Sequence, residues 1–296
     1  MIHVEQVTTA IERVRVEAVL QFGWTHLELV AVALPGSAVA LHGTIAAHGL
    51  LARVRRECGP GVVLDVSAVE VLTTGRFVAV PEPGIGLYRR PDRVRDDELA
   101  TELDPGDGPV EWLTELGDAH LVRASDGTVG WTRATLASVV ARPQFLVPAH
   151  ADTRMISTSW AAWLGVTYRM GGTRDTGVDC SGLVQRLLAS ASLRCPRHST
   201  DQLAIDPQPD LVSDLGTIVA IWSDDEAPCH VGLAVGGGRI VHASRSRGLV
   251  VVQTDREFAA NARRVAHVPL AGLVELQHRA QGQADLLAVL RPLSAG

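Results

Sequence analysis

The stretch Val178-Asp179-Cys180-Ser181-Gly182-Leu183 decides how the C-terminal half of the chain is read. Leu183, Val184, Leu187, Leu188 and Ala191 follow at the spacing of one α-helical face. Cys180 therefore stands at a helix N-terminus, where unpaired N–H groups and the positive dipole end favour a thiolate. Upstream, Tyr168-Arg169-Met170-Gly171-Gly172 supplies a tyrosine and a glycine pair. Downstream come His230, in His-Val-Gly-Leu-Ala-Val, and His242, in Ile-Val-His-Ala-Ser. A cysteine followed by a histidine and a second polar ring is the order of a nucleophile, its base and an orienting group.

The two histidines are tested by strand geometry. Residues 217–222, 230–235, 239–244 and 249–253 read as an antiparallel meander, with Gly236-Gly237-Gly238 at one turn and residues 245–248 at the next. A hairpin closed by the three glycines places His242 opposite Gly232 and diagonal to His230. The two histidines are an even number of residues apart, so both side chains leave one face. Diagonal neighbours lie about 7–8 Å apart, within reach of two imidazole rings. A slip of one residue in register destroys the pairing. An imidazolium beside a thiolate at the helix start makes an ion pair suited to acyl transfer. The oxyanion is then met by the Cys180 N–H and the Tyr168 hydroxyl.

Composition bounds the remaining possibilities. A chain of 296 residues has room for two or three domains, and 46% hydrophobic content is that of a globular protein. The net charge of -6 and the lack of a basic block give no nucleic-acid surface. No apolar run approaches the ~20 residues of a membrane span. The start, Met1-Ile2-His3-Val4-Glu5-Gln6, lacks the pattern of a signal peptide, so the expected location is cytoplasmic, or extracellular or periplasmic if a leader was removed. Four cysteines, Cys58, Cys180, Cys195 and Cys229, are too few and too irregular for a disulfide framework. No cofactor is implied. A zinc site from Cys229, His230 and His242 fails because adjacent strand residues point to opposite faces.

The N-terminal half reads as two small units. Residues 4–20 place Val4, Val7, Ile11, Val14 and Ala18 on one helical face. Strands at 27–32 and 38–42 flank Pro35-Gly36-Ser37, a helix follows over 46–58, and a strand over 62–72. From residue 76, short strand candidates (77–80, 87–88, 120–123, 129–132) alternate with Pro, Gly and Asp turns, and acidic residues 92–108 read as a solvated loop. Asp126-Gly127-Thr128-Val129-Gly130-Trp131 reads as a tight turn entering an aromatic strand. The segment around Pro143 and Pro148 reads as a linker, and helical character is expected over 156–164, 256–264 and 272–290. The expected division is 1–75, 76–140, a linker over 141–155, and 156–296.

Several resemblances follow from these residues. Val39-Ala40-Leu41-His42-Gly43-Thr44-Ile45 and the helix and strand after it resemble a BON domain; a layered α+β unit of no named family reads equally well. The Asp126 turn and Trp131 resemble a bacterial SH3-like barrel, against the plainer reading of any small β-barrel. Tyr-x-x-Gly-Gly, Asp-Cys-Ser-Gly, His-Val-Gly and His-Ala, in that order, resemble the NlpC-type papain-like cysteine peptidases over roughly residues 156–270. The implied class is α+β: a papain-like NlpC-type domain behind an SH3-like barrel and a BON-like unit. The resemblance implies Cys180 as nucleophile, His230 as base and His242 as orienting group. It further implies hydrolysis of the γ-D-glutamyl–diamino acid bond in peptidoglycan stem peptides or muropeptides. Tyr168, Asp179 and Ser181 would hold a free N-terminal L-alanine, with His198 and Ser199 at the substrate rim. Two departures stand out, Met170 before the glycine pair and His198 where relatives carry an acid. An amidase or acyltransferase acting on another amide, or a non-catalytic scaffold that binds wall peptides, is the alternative.

Overall fold

Val7, Ile11, Val14 and Ala18 recur every three or four residues, and all four are buried on one side of the helix they form, α1 (Ile2–Phe22). The computed structural model describes residues 2–36, 38–47, 49–59, 61–136, 139–142, 152–208, 213–223 and 230–281. Strands β1 (Leu27–Ala33) and β2 (Ala38–Ile45) form the expected hairpin, with Leu27 opposite Ile45 and Ala33 opposite Val39. Helix α2 (Gly49–Cys58) then crosses over to β3 (Val63–Val71), which runs parallel to β2. Leu50, Leu51 and Val54 of α2 join the apolar face of α1 and Leu27, Leu41 and Ile45 of the sheet in one core. The expected order of helix, two strands, helix and strand is the observed one.

The second unit is a seven-stranded antiparallel sheet in the order β10-β4-β7-β8-β9-β5-β6. Its strands are β4 (Phe77–Val78), β5 (Ile85–Tyr88), β6 (Leu99–Leu103), β7 (Val110–Leu116), β8 (Ala119–Arg123), β9 (Val129–Thr132) and β10 (Val139–Val140). The β8–β9 turn is the expected one, with Gly127 at φ 86°. Trp131 is buried, and its indole N–H donates to the Phe22 carbonyl at the end of α1, 2.9 Å away.

One expectation fails here. Residues 92–108 are not one solvated loop: residues 92–95 and 97 are exposed as expected, but the segment also contains β6, every residue of which is buried. Glu102 is buried with them and accepts from Arg169 Nη1 at 2.9 Å. Asp104 and Asp107 face Arg174 and Arg186. The acids are matched by cations brought from the C-terminal unit, so they do not need water. Glu111 of β7 is likewise buried against Arg123.

The third unit begins with α3 (Thr153–Ser159) and a short 3₁₀ turn, Trp160–Trp163. A small hairpin, β11 (Thr173–Arg174) and β12 (Gly177–Val178), feeds α4 (Cys180–Ser190), and α5 (Ser199–Leu203) follows. A five-stranded antiparallel sheet has the order β16-β15-β14-β13-β17. It is built from β13 (Ile218–Trp222), β14 (His230–Ala234), β15 (Arg239–Ser244), β16 (Leu249–Thr254) and β17 (Arg264–Val268). The meander is as expected. The helix expected over 256–264 is a single turn, α6 (Asp255–Phe258), and the chain then becomes the edge strand β17. Helix α7 (Leu270–Ala280) matches the start of the last expected helix, whose remainder past residue 281 lies outside the described residues. So do Cys229 and most of the expected linker. Leu183, Val184, Leu187 and Leu188 of α4 pack on Val231, Leu233, Val241 and Ala243, which fixes the nucleophile's helix across β14 and β15.

Candidate active site

Asp179 is the N-cap of α4: its carboxylate accepts from Gly182 N–H at 2.8 Å, and Cys180 is the first helical residue. The approach to this cap is tight. A Cβ on Gly182 would lie 2.5 Å from the Gly172 carbonyl oxygen, so the helix start and the glycine pair meet backbone to backbone. Gly171 has φ 77°, and a side chain there would strike the Leu99 carbonyl of β6. The Tyr-x-x-Gly-Gly motif thus sets the loop against both α4 and the central sheet.

Asp179 does more than cap. Arg197 Nη1 and Nη2 reach its two oxygens at 2.9 and 2.7 Å, and Gly171 N–H donates at 2.8 Å. Arg197 also donates to Ser181 Oγ (3.0 Å) and to Thr101 Oγ1 of β6 (3.0 Å). Burial alone would raise the Asp179 carboxyl, but the adjacent guanidinium overrides it and holds the group below the usual range. Both oxygens accept hydrogen bonds from within the protein, and the carboxylate orders the loop. Ser181 is buried in the same network. The sequence reading passed over Arg197; its signal was its place directly before His198.

His230 and His242 share the sheet face covered by Phe258, whose ring lies 5.5 Å from His230 and 5.0 Å from His242. Leu233 pairs with Val241 and Ala234 with Ile240, the register that sets His242 across from Gly232. The rings meet, with His230 Nε2 2.7 Å from His242 Nδ1. His242 Nε2 in turn lies 2.7 Å from Gln253 Oε1. An amide oxygen only accepts, so His242 carries its proton on Nε2. Its Nδ1 then accepts from His230 Nε2–H, and His230 Nδ1 is left as the basic nitrogen. Gln253, on the neighbouring strand, was not foreseen.

The expected ion pair is absent in this state. The Cys180 sulfur lies against the N–H groups of Val231, next to His230, and of Ser181. Among the described residues no hydrogen bond joins it to either imidazole. Burial, followed by the Asp179 charge, pushes the thiol up to about 11, and those N–H groups offset only part of it. Burial, followed by the His242 ring, pushes His230 down to about 4. His242 is also lowered, first by burial, with Gln253 opposing. The resting pair is therefore a neutral thiol and a neutral imidazole. Tyr168 is pushed up to about 12 by burial and by the nearby thiol, so its hydroxyl stays a donor. His198 is exposed, and Ser199, half-buried, opens α5.

A helix-start cysteine, a two-ring relay on one sheet face and a glycine-pair loop define a class. Residues 165–267 match the NlpC/P60 family, and this segment is an NlpC/P60 domain. Among its relatives is the murein DD-endopeptidase MepS/murein LD-carboxypeptidase of Escherichia coli K12, 32% identical over 104 residues, 35% of this chain and 55% of that one. The γ-D-glutamyl-L-lysine dipeptidyl-peptidase of Bacillus cereus is 26% identical over 187 residues, 61% of this chain and 53% of that one. A solved NlpC/P60 protein from Bacillus cereus is 19% identical, covering 66% of this chain and 63% of its own, with a TM-score of 0.38. The chain spans about half the length of these curated relatives. The family match begins at residue 165, so the BON-like and SH3-like resemblances rest on the sequence alone.

Proposed function

We propose that the protein is a cysteine endopeptidase that hydrolyses the γ-D-glutamyl–diamino acid bond of peptidoglycan-derived peptides with a free N-terminal L-alanine. The observation that carries the reading is the relay Gln253–His242–His230, which leaves His230 Nδ1 as a base on the residue adjoining the sulfur's N–H contact at Val231. The matched relatives named as murein and γ-D-glutamyl peptidases support the substrate class.

In this reading the proton moves from Cys180 Sγ to His230 Nδ1 as the peptide displaces water and the sulfur attacks the γ-carbonyl carbon. The Cys180 N–H at the start of α4 and the Tyr168 hydroxyl face the developing oxyanion. His242 holds the His230 tautomer and shares the imidazolium charge. Collapse of the intermediate breaks the C–N bond, and His230 gives its proton to the departing amine. Water, deprotonated by the same nitrogen, then cleaves the thioester and restores the thiol. Because the resting thiol is neutral, proton transfer accompanies attack rather than preceding it.

The test is direct. Purified protein given L-Ala-γ-D-Glu-diaminopimelate peptide releases the L-Ala-γ-D-Glu dipeptide, and Cys180→Ala abolishes release. Undiminished release by that variant overturns the assignment.

A further inference from the structure

We propose that Arg247 and Glu257 read the far end of the diamino acid that leaves, so that the enzyme selects one ending in a carboxylate and an ammonium over one ending in an ammonium alone. The inference rests on the peptidase reading above and names the leaving residue of that same site. In that reading His230 hands its proton to the departing amine, so the leaving residue must lie against the His230 ring. A cavity of about 440 Å³ opens there, with His230, His242, Arg245, Arg247, Glu257 and Phe258 in its walls. Tyr168, Asp179 and Ser181, expected on the acyl side, take no part in those walls.

Arg245 and Arg247 stand on the β15–β16 turn, and both are exposed. Among the described residues neither side chain makes a hydrogen bond or an ion pair. The turn that presents them is ordered. The buried Ser244 Oγ accepts from Arg247 N–H at 3.3 Å and lies 3.2 Å from Ser246 Oγ, and the Gly248 carbonyl accepts from Tyr168 N–H at 2.7 Å. Arg247 is near both His242 and Glu257. Burial lowers His242 first and Arg247 adds to it; the Thr254 N–H and hydroxyl lower the Glu257 carboxyl first and Arg247 adds to that. Glu257 Oε2 is held by the Thr254 N–H and Oγ1, both at 2.8 Å, while among the described residues Oε1 accepts nothing. Opposite charges that are close but not joined in an ion pair bracket an amino-acid head that carries both. Phe258, next to Glu257 and packed on both imidazoles, gives the methylene chain an apolar wall. Arg245 opposes the burial that raises the Tyr168 hydroxyl, so it adds a second positive charge at the edge toward the acyl side. Two guanidinium groups against one carboxylate favour a leaving residue with two carboxylates, diaminopimelate over lysine.

The experiment measures binding of L-Ala-γ-D-Glu-diaminopimelate and of its L-lysine counterpart to full-length Cys180→Ala protein by calorimetry. The diaminopimelate peptide should bind about 10-fold tighter, the scale of one charge-assisted hydrogen bond. Adding Arg247→Gln should bring the ratio of the two affinities close to one, and Arg247→Lys, which keeps the charge, should restore most of it. Equal affinities in the Cys180→Ala protein, or a ratio unchanged by Arg247→Gln, overturn the proposal. Glu257→Gln keeps a side chain able to cap Thr254 and should weaken both peptides alike, since both end in an ammonium; unchanged affinity for both overturns the assignment of Glu257. If the unsubstituted protein cleaves neither peptide while the binding ratio is as expected, the peptidase reading falls and the selectivity stands. If it cleaves both and the affinities are equal, the peptidase reading stands and this inference falls.

Discussion

Arg197 and Asp179 form a two-pronged ion pair, 2.9 and 2.7 Å long, buried directly beneath the cysteine that begins α4. Removing one partner leaves an uncompensated charge away from water. Arg197→Ala should cost about 3–5 kcal/mol, read as a lowered denaturation midpoint. Its peptidase activity should fall as well, because Asp179 would no longer be held over Gly182 N–H. A stability loss below 1 kcal/mol would show that water reaches the pair.

The relay between the imidazoles predicts an asymmetry between substitutions of His242. An asparagine there retains an acceptor for His230 Nε2–H, and an alanine does not. Steady-state kinetics should show His242→Asn retaining more kcat than His242→Ala, with KM little changed in either. Gln253→Leu should lower kcat more mildly, since it frees the outer end of the relay only. Equal loss in the asparagine and alanine variants would remove the relay from the mechanism.

The imidazole of His230 also predicts how stability depends on pH. Its folded pKa of about 4 lies below the ordinary value of 6.5. The neutral ring is therefore favoured by folding, a contribution complete above pH 6.5 and lost as pH falls through about 4. Denaturation midpoints should drop over that window, and His230→Asn should flatten the drop.

The thiol is displaced in the opposite direction. With Cys180 pushed up to about 11, alkylation by iodoacetamide at pH 7 should be slower than that of a free thiol and should keep rising through pH 9–11. Mass spectrometry of the Cys180 peptide separates it from Cys58 and Cys195, both of which are also raised by burial. A rate plateau below pH 7 would restore the thiolate–imidazolium pair as the resting state.

Gly171 offers a test of the seam between the central sheet and the peptidase unit. Its positive φ and the Leu99 carbonyl facing it both exclude a side chain. Gly171→Ala should destabilise by more than about 1 kcal/mol and lower activity, because the loop that carries Tyr168 must move.

The helix at Cys180 and the histidine pair were legible because each follows from a short-range rule: apolar residues every three or four positions, and even spacing across a tight turn. Strand β6 was not legible. Glu102 within it and the acids on either side imply water in any local window, and the arginines that match Glu102 and Asp107 stand far along the chain, 67 residues away for Arg169 and Glu102 and 79 for Arg186 and Asp107. Gln253 depends on the pairing of β15 with β16, a register the sequence leaves open. The thiol's titration was misjudged for a related reason. The helix start that favours the anion is local, whereas the burial that opposes it is supplied by the folded whole.

Glu102, Asp104 and Asp107 sit in the second unit, while Arg169, Arg174 and Arg186, which bind them, sit in the third. Cutting the chain between the two would strand three guanidinium groups around the very hairpin that delivers Cys180. A shortened version holding only the family-matched segment is therefore a poor stand-in for the parent molecule. Its failure in an assay would report the loss of a scaffold, and its chemistry should be judged only with the acidic strand in place.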